Sequence, residues 1–155
     1  MRGKPAPKRK IQPDPRYNSL VVAKFINYVM RDGKKNTARH IVYTAFDSIQ
    51  KQTKKDPQIT FDVALKNVIP LVEVRSRRIG GGNYQIPYPV KGDRRYALAF
   101  RWIIEACKAA KGKPMGERLA NELLAASQKQ GEAMRKKMDV HRMADANRAF
   151  AHFAR

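Results

Sequence analysis

The chain has 155 residues, the length of one domain, and sets 33 Lys and Arg against 13 Asp and Glu for a net charge of +20. A domain of this size buries roughly two thirds of its unfolded surface and needs no disulfide or metal staple, and a lone cysteine, Cys107, excludes an internal disulfide or a multi-cysteine metal site and reads as a small core residue. No apolar run of about 18 residues could span a membrane, the opening MRGKPAPKRK lacks a secretory apolar stretch, and so large a charge calls for a polyanion, not a small-molecule substrate. A cytoplasmic nucleic-acid binder is the expectation, with no cofactor, no metal and no membrane partner.

Residues 1–16 hold six basic residues (Arg2, Lys4, Lys8, Arg9, Lys10, Arg16), one acid (Asp14) and four prolines, the composition of a disordered basic arm. From Ser19, a plausible N-cap, helical spacing puts Leu20, Ala23, Ile26, Val29 and Met30 on one face. Gly33 stops that helix, a second runs through Ala38, Ile41, Val42, Ala45 and Ile49, and a third from Gln58 to Ile69 turns Phe61, Ala64, Leu65 and Val68 inward before Pro70.

Then the period changes to two. Val72 to Ile79 alternate, Gly80, Gly81, Gly82 and Asn83 supply a turn, and Tyr84, Ile86, Tyr88 and Val90 alternate again, which predicts a β-hairpin arm over 72–90. Pro87 and Pro89 remove donors from one side of the second strand and confine it to an edge. After Gly92 the helical period returns with Ala97, Phe100, Ile104 and Cys107 inward. A fifth helix follows Pro114 through Leu119, Ala120, Leu123 and Leu124. The sixth follows Gly131 and scatters Met134, Met138, Val140, Met143, Phe150 and Phe153 among basic residues, so it depends on something outside its own core. The predicted architecture is a mainly α single domain over 1–155: a six-helix bundle, a protruding two-stranded β-hairpin and a basic disordered N-terminal arm.

The hairpin is the most informative segment. A two-stranded ribbon is marginal alone in water, yet this one carries Arg75, Arg77 and Arg78, whose planar guanidinium forks suit phosphate and stack on bases. The glycine run is no P-loop, because Asn83 and Tyr84 lead into a strand where a Gly-Lys-Ser/Thr helix start is required. Other basic clusters sit at element ends: Lys34 and Lys35, Lys91 with Arg94 and Arg95, and Lys113 with Arg118. Arg94, Arg101 and Lys108 recur every seven residues on one stripe, flanked by Arg95 and Trp102. So broad a basic face fits a folded RNA better than a straight duplex. A ribonuclease would need paired histidines, but His141 and His152 lie eleven residues apart on one predicted helix, about 16 Å in rise. Glu73 and Glu105 read as partners of nearby arginines. The competing class is an architectural DNA-binding protein with a basic β-arm, which would carry an apolar wedge at its tip; here the tip is glycine.

Three long motifs are specific enough to suggest a family. MRDGKKN (Met30 to Asn36), VEVRSRRIGGGNYQIP (Val72 to Pro87) and DVHRMADANRAFAHF (Asp139 to Phe153) resemble, in order and spacing, the family of the bacterial seventh protein of the small ribosomal subunit. The likeness runs from about Ile11, and the connector KAAKGKPMG (Lys108 to Gly116) matches least. The resemblance implies a primary binder of small-subunit ribosomal RNA that holds the 3′ major domain, nucleates head assembly and meets neighbouring small-subunit ribosomal proteins. It also implies a hairpin tip, Gly80, Gly81, Gly82 and Asn83, near exit-site transfer RNA. By motif position the RNA-contacting role falls on Lys34, Lys35, Arg75, Arg77, Arg78, Arg94, Arg95, Lys136, Lys137 and Arg142, with Lys8, Arg9 and Lys10 as part of a basic arm. Asn83, Tyr84, Lys91, Arg101, Lys113, Arg118 and Arg148 complete the candidate set from the ribbon and the basic clusters.

Overall fold

The computed structural model describes Gly3, Pro7 and residues 10–154. Six α-helices, a hairpin and a short 3₁₀ helix follow in order: α1 (Leu20–Val29), α2 (Lys35–Thr53), α3 (Pro57–Val68), β1 (Val72–Ile79), β2 (Gly82–Pro89), α4 (Asp93–Ala109), α5 (Met115–Ser127), α6 (Glu132–Ala146) and the 3₁₀ segment Arg148–Ala154. Local chemistry sets several of these boundaries. The Ser19 hydroxyl accepts from the Val22 amide to start α1, and the Asp56 carboxylate accepts from the Gln58 amide with Pro57 at the first helical position of α3. Gly131, at φ 96°, opens α6 where a Cβ would lie 2.8 Å from Glu122 Oε1. That space lets the Glu122 carboxylate accept from the Ala133 amide at 2.8 Å and cap the helix.

Four phenylalanines tie the first four helices together. Phe25 of α1 meets Phe61 of α3 and Phe100 of α4, both at 5.2 Å between ring centroids, and Phe46 of α2 meets Phe61 at 5.4 Å. All four are fully buried or nearly so. Because Phe61 sits between two of them, its truncation to Ala would cost about 3–5 kcal/mol. α5 adds Leu119, Ala120, Leu123 and Ala126 to this core, and Cys107 is buried in it. Burial pushes the Cys107 thiol up to about 12, so it stays a protonated, unreactive core group.

The structure departs from the periodicity in four places. Leu20 is 52% exposed and α1 buries Val22 and Phe25 as well as Ala23 and Ile26. Trp102 is buried, so it cannot flank an exposed stripe. The hairpin turn is the two-residue Gly80–Gly81, both at positive φ (56° and 89°), while Gly82 and Asn83 pair with Ile79 and Arg78 in the ladder; two successive positive-φ positions are what a tight hairpin turn with native twist requires. The final helix ends at Ala146, where the Asn147 amide side chain donates to the Met143 carbonyl at 2.8 Å, so His141 and His152 lie on different elements.

The two strands form an antiparallel sheet with register Val72↔Pro89 to Ile79↔Gly82. The Val90 amide donates to the Leu71 carbonyl at 2.9 Å. Alternation from that bonded pair puts Pro87 and Pro89 at positions whose amides would face outward, which is why two prolines are tolerated. The 3₁₀ segment lies along β2, with the Tyr84 and Phe150 rings 4.8 Å apart and Arg77 Nη1 donating to the Phe153 carbonyl at 2.8 Å.

Candidate nucleic-acid interface

The inner end of the basic arm is fastened to the bundle. Asp14 is 3% exposed and accepts from the Arg16 and Tyr17 amides and the Tyr43 hydroxyl, while Arg16 pairs with Asp47 at 2.6 Å. Burial is the main reason the Tyr43 phenol is held above its ordinary range, and its bond to Asp14 adds to that. This anchor lays Lys10 beside a cleft that Lys35 and Arg39 of α2 also line. Lys8 and Arg9 lie outside the described residues.

From that cleft the cationic surface continues across α1 to α4. Asn27 lines both the Lys10–Lys35–Arg39 cleft and a second one that holds Arg101 and Lys108. Arg95 and Lys66 share a third cleft with Tyr96 at the start of α4. The Nε atoms of Arg39 and Arg95 are buried without a hydrogen-bond partner. Lys34 and Lys35 open α2, which has no acidic residue in its first turn and no side-chain cap, so positive charge adds to the positive end of the helix dipole. An anion placed there would meet free amides and lysines together.

The hairpin divides its arginines by face. Arg75 and Arg77 stand opposite Ile86 and Tyr84, whereas Arg78 alternates to the other face opposite Asn83. Arg75 donates to Glu73, Arg94 reaches the other Glu73 oxygen at 3.0 Å, and Arg75 also lies over the Tyr88 ring at 5.1 Å. Burial alone pushes the Glu73 carboxyl up, but hydrogen bonds from Arg75 and Arg94 outweigh it and hold the group below its usual range. Among the described residues Arg78 makes no hydrogen bond or ion pair in the structure, and its exposed side chain and that of Asn83 share the open face. At the hairpin root, His141 Nε2 accepts from the Leu71 amide at 3.3 Å. Burial, aided by Lys137, lowers its basicity, which keeps that nitrogen free to accept.

Other candidates are engaged by the protein itself. Arg118 donates through Nη1 to the carbonyls of Cys107, at 3.0 Å, and Ala110. Lys137 donates to the Asn67 carbonyl, and burial lowers its pKa. Arg142 pairs with Asp139 at 3.1 Å one turn away. Lys136 stands exposed but lines a cleft with Glu105, Glu122 and Glu132, whose carboxylates repel phosphate. Lys113, Lys91 and Arg148 are exposed, away from the clefts joined at Asn27. The structure therefore gathers Lys10, Lys35, Arg95, Arg101 and Lys108 and adds Arg39, Lys66 and Asn27. Arg39 was readable as the residue four after Lys35, on the same helical face; Asn27 carries no charge and gave no signal.

A sequence profile described as ribosomal protein S7p/S5e matches residues 1–148. The chain is 56% identical over 153 residues to the small ribosomal subunit protein uS7 of Thermotoga petrophila, covering 99% of both chains. The same-named protein of Polynucleobacter asymbioticus is 54% identical over 152 residues, covering 98% of this chain and 97% of that one. That of Afipia carboxidovorans is 51% identical over 148 residues, covering 96% and 95%. Near-complete coverage at this identity extends through the arm, the hairpin and the helical bundle, and with it the chain belongs to the S7p/S5e family of ribosomal proteins.

Proposed function

We propose that the chain is a non-enzymatic component of the small ribosomal subunit in the cytoplasm, that it is a primary binder of the 3′ major domain of small-subunit ribosomal RNA, and that this binding nucleates assembly of the subunit head beside neighbouring ribosomal proteins. The observation that carries the reading is the run of cations from Lys10 through Lys35 and Arg39 to Arg101 and Lys108, joined at Asn27, in a chain of this family and of net charge +20. A run of cations on an arm and two helices, joined across a third by Asn27, suits a folded RNA, which offers phosphates at many angles. Affinity should fall with salt with a log–log slope of magnitude about 5 or more, each neutralised phosphate contributing roughly 0.7–0.9. A slope near −1, or equal affinity for a DNA duplex of the same length in competition, would overturn the reading in favour of weak contact or architectural DNA binding.

The hairpin divides into a root held by Glu73 and a tip with little charge, and the tip is the part proposed to lie near exit-site transfer RNA. Replacing Arg78 to Asn83 by Asn-Gly closes the hairpin two pairs earlier, on the hydrogen-bonded Arg77–Tyr84 pair. The variant is expected to enter subunits normally and to alter retention of deacylated transfer RNA. Exclusion from subunits would show that the tip anchors ribosomal RNA.

A further inference from the structure

Between the two cationic clefts that share Asn27 lies a smaller notch of about 220 Å³, lined by Tyr28, Tyr96, Phe100 and Ile11 and again by Asn27. Tyr28 and Tyr96 are each 39% exposed. Both lean on buried Phe100, with ring centroids 5.3 and 6.2 Å away, so neither can swing inward to hide its face. The Asn27 carboxamide makes no hydrogen bond among the described residues and offers both a donor and an acceptor. Lys24 and Asp93 at the rim neutralise each other at 3.0 Å.

We infer that this notch holds one unpaired nucleobase of the RNA whose backbone runs between the two cationic clefts. The inference rests on the RNA reading of the cationic surface and adds to it a site that reads a single-stranded nucleotide. Cations bracket the notch on both sides: Lys10, Lys35 and Arg39 on one, where the acid Asp14 is already held by the Arg16 and Tyr17 amides and the Tyr43 hydroxyl, and Arg101 and Lys108 on the other, with Glu105 the acid there. That is the alternation of single-strand sites, where phosphates follow positive charge and a base leaves the chain to stack on an aromatic face. The notch has room for one base and not for a pair, and the bases of a duplex are stacked inside it, beyond reach of the rings. Asn27 would hydrogen-bond the edge of the seated base. An apolar peptide side chain could fill the same volume, but its backbone would leave the flanking cations unmatched.

The test uses the full chain, an adenosine octamer of single-stranded RNA and an RNA duplex of about twelve base pairs. Tyr28→Ala with Tyr96→Ala should weaken octamer binding about 10-fold, leave duplex binding unchanged and leave the salt slope unchanged, since no charge is lost. Tyr28→Phe with Tyr96→Phe should bind as the parent does. An octamer carrying one 2-aminopurine reports stacking on the unmodified protein through loss of fluorescence, which keeps the test open if the alanine variant fails to fold. Unchanged octamer affinity in a folded alanine variant, an equal loss on the duplex, or no fluorescence loss overturns the notch. Failure of Lys35→Ala with Arg39→Ala to weaken either RNA is a different result, and overturns the RNA reading of the cationic surface instead.

Discussion

Two groups of cations carry the same kinds of side chain and use them differently. Where a cation reaches a helix C-terminus from a neighbouring helix it is absorbed: Arg118 of α5 bonds the last carbonyls of α4 and Lys137 of α6 a carbonyl near the end of α3, both groups that a helix leaves unpaired and partly negative. Where cations sit at helix N-termini, as Lys34 and Lys35 on α2 and Arg95 on α4 do, the backbone offers only amides, and these side chains have no carbonyl to bond. The difference teaches that net charge alone does not locate a binding surface; a cation within reach of a neighbouring helix's last carbonyls is held by them, and the others are left for an external anion.

The contrast can be broken most directly by removing charge inside and outside the clefts joined at Asn27. Lys35→Ala, Arg39→Ala and Arg101→Ala combined should lower RNA affinity about 100-fold at physiological salt and reduce the salt slope by roughly 2–3, with the thermal midpoint little changed. Lys113→Ala with Lys136→Ala should change affinity less than about threefold. A large loss from the second pair would erase the distinction. Arg118→Met should show the reverse pattern, costing about 1–3 kcal/mol of stability because two carbonyls lose their donor, with RNA affinity held. Chemical denaturation and filter binding on the same preparations separate the two readouts.

The smallest effect sharpens the comparison at the hairpin root. Glu73 is held below its ordinary carboxylate value of 4.5 despite burial, by Arg75 and Arg94, so its contribution to stability is fully present above pH 4.5 and is lost as pH falls through the lowered value. Thermal unfolding followed from neutral pH into acid should show this loss in the parent chain and a shallower fall in Glu73→Gln. An identical pH profile in both would mean that the arginines do not depend on this carboxylate.

Much of the helical order was legible because apolar spacing marks each helix: Ser19 caps the first in the sequence and in the structure, and the third, expected from Gln58, starts one residue earlier at Pro57, where Asp56 caps it. The inward face of α1 was not, since LVVAKFINYV is apolar on most sides and any of several faces satisfies the spacing; contact with Phe61 and Phe100 chooses Phe25. The hairpin's alternation marked its two strands, but four consecutive turn-forming residues, Gly80 to Asn83, left the turn position and with it the register open until strand pairing claimed two of them. At the site, the cations were visible as charge, while their partners were not: the carbonyls that take Arg118 and Lys137 come from segments 11 and 70 residues away in the chain. Tyr28 and Tyr96 gave no signal as a pair, because only Phe100 brings them to one notch.

The clasp between the hairpin and the 3₁₀ segment also has a consequence for the order in which the molecule is made. Arg77 and the Phe153 carbonyl that holds it are 76 residues apart, and Tyr84 waits 66 residues for Phe150. A chain leaving the exit tunnel therefore completes the aromatic junction of its first four helices while its hairpin still lacks the clasp. Until those final turns emerge, the ribbon has little to stiffen it beyond its own ladder and its root on the bundle. Interrupted chains would thus carry a folded body and a loose arm, a defect that an RNA needing both at once would reject.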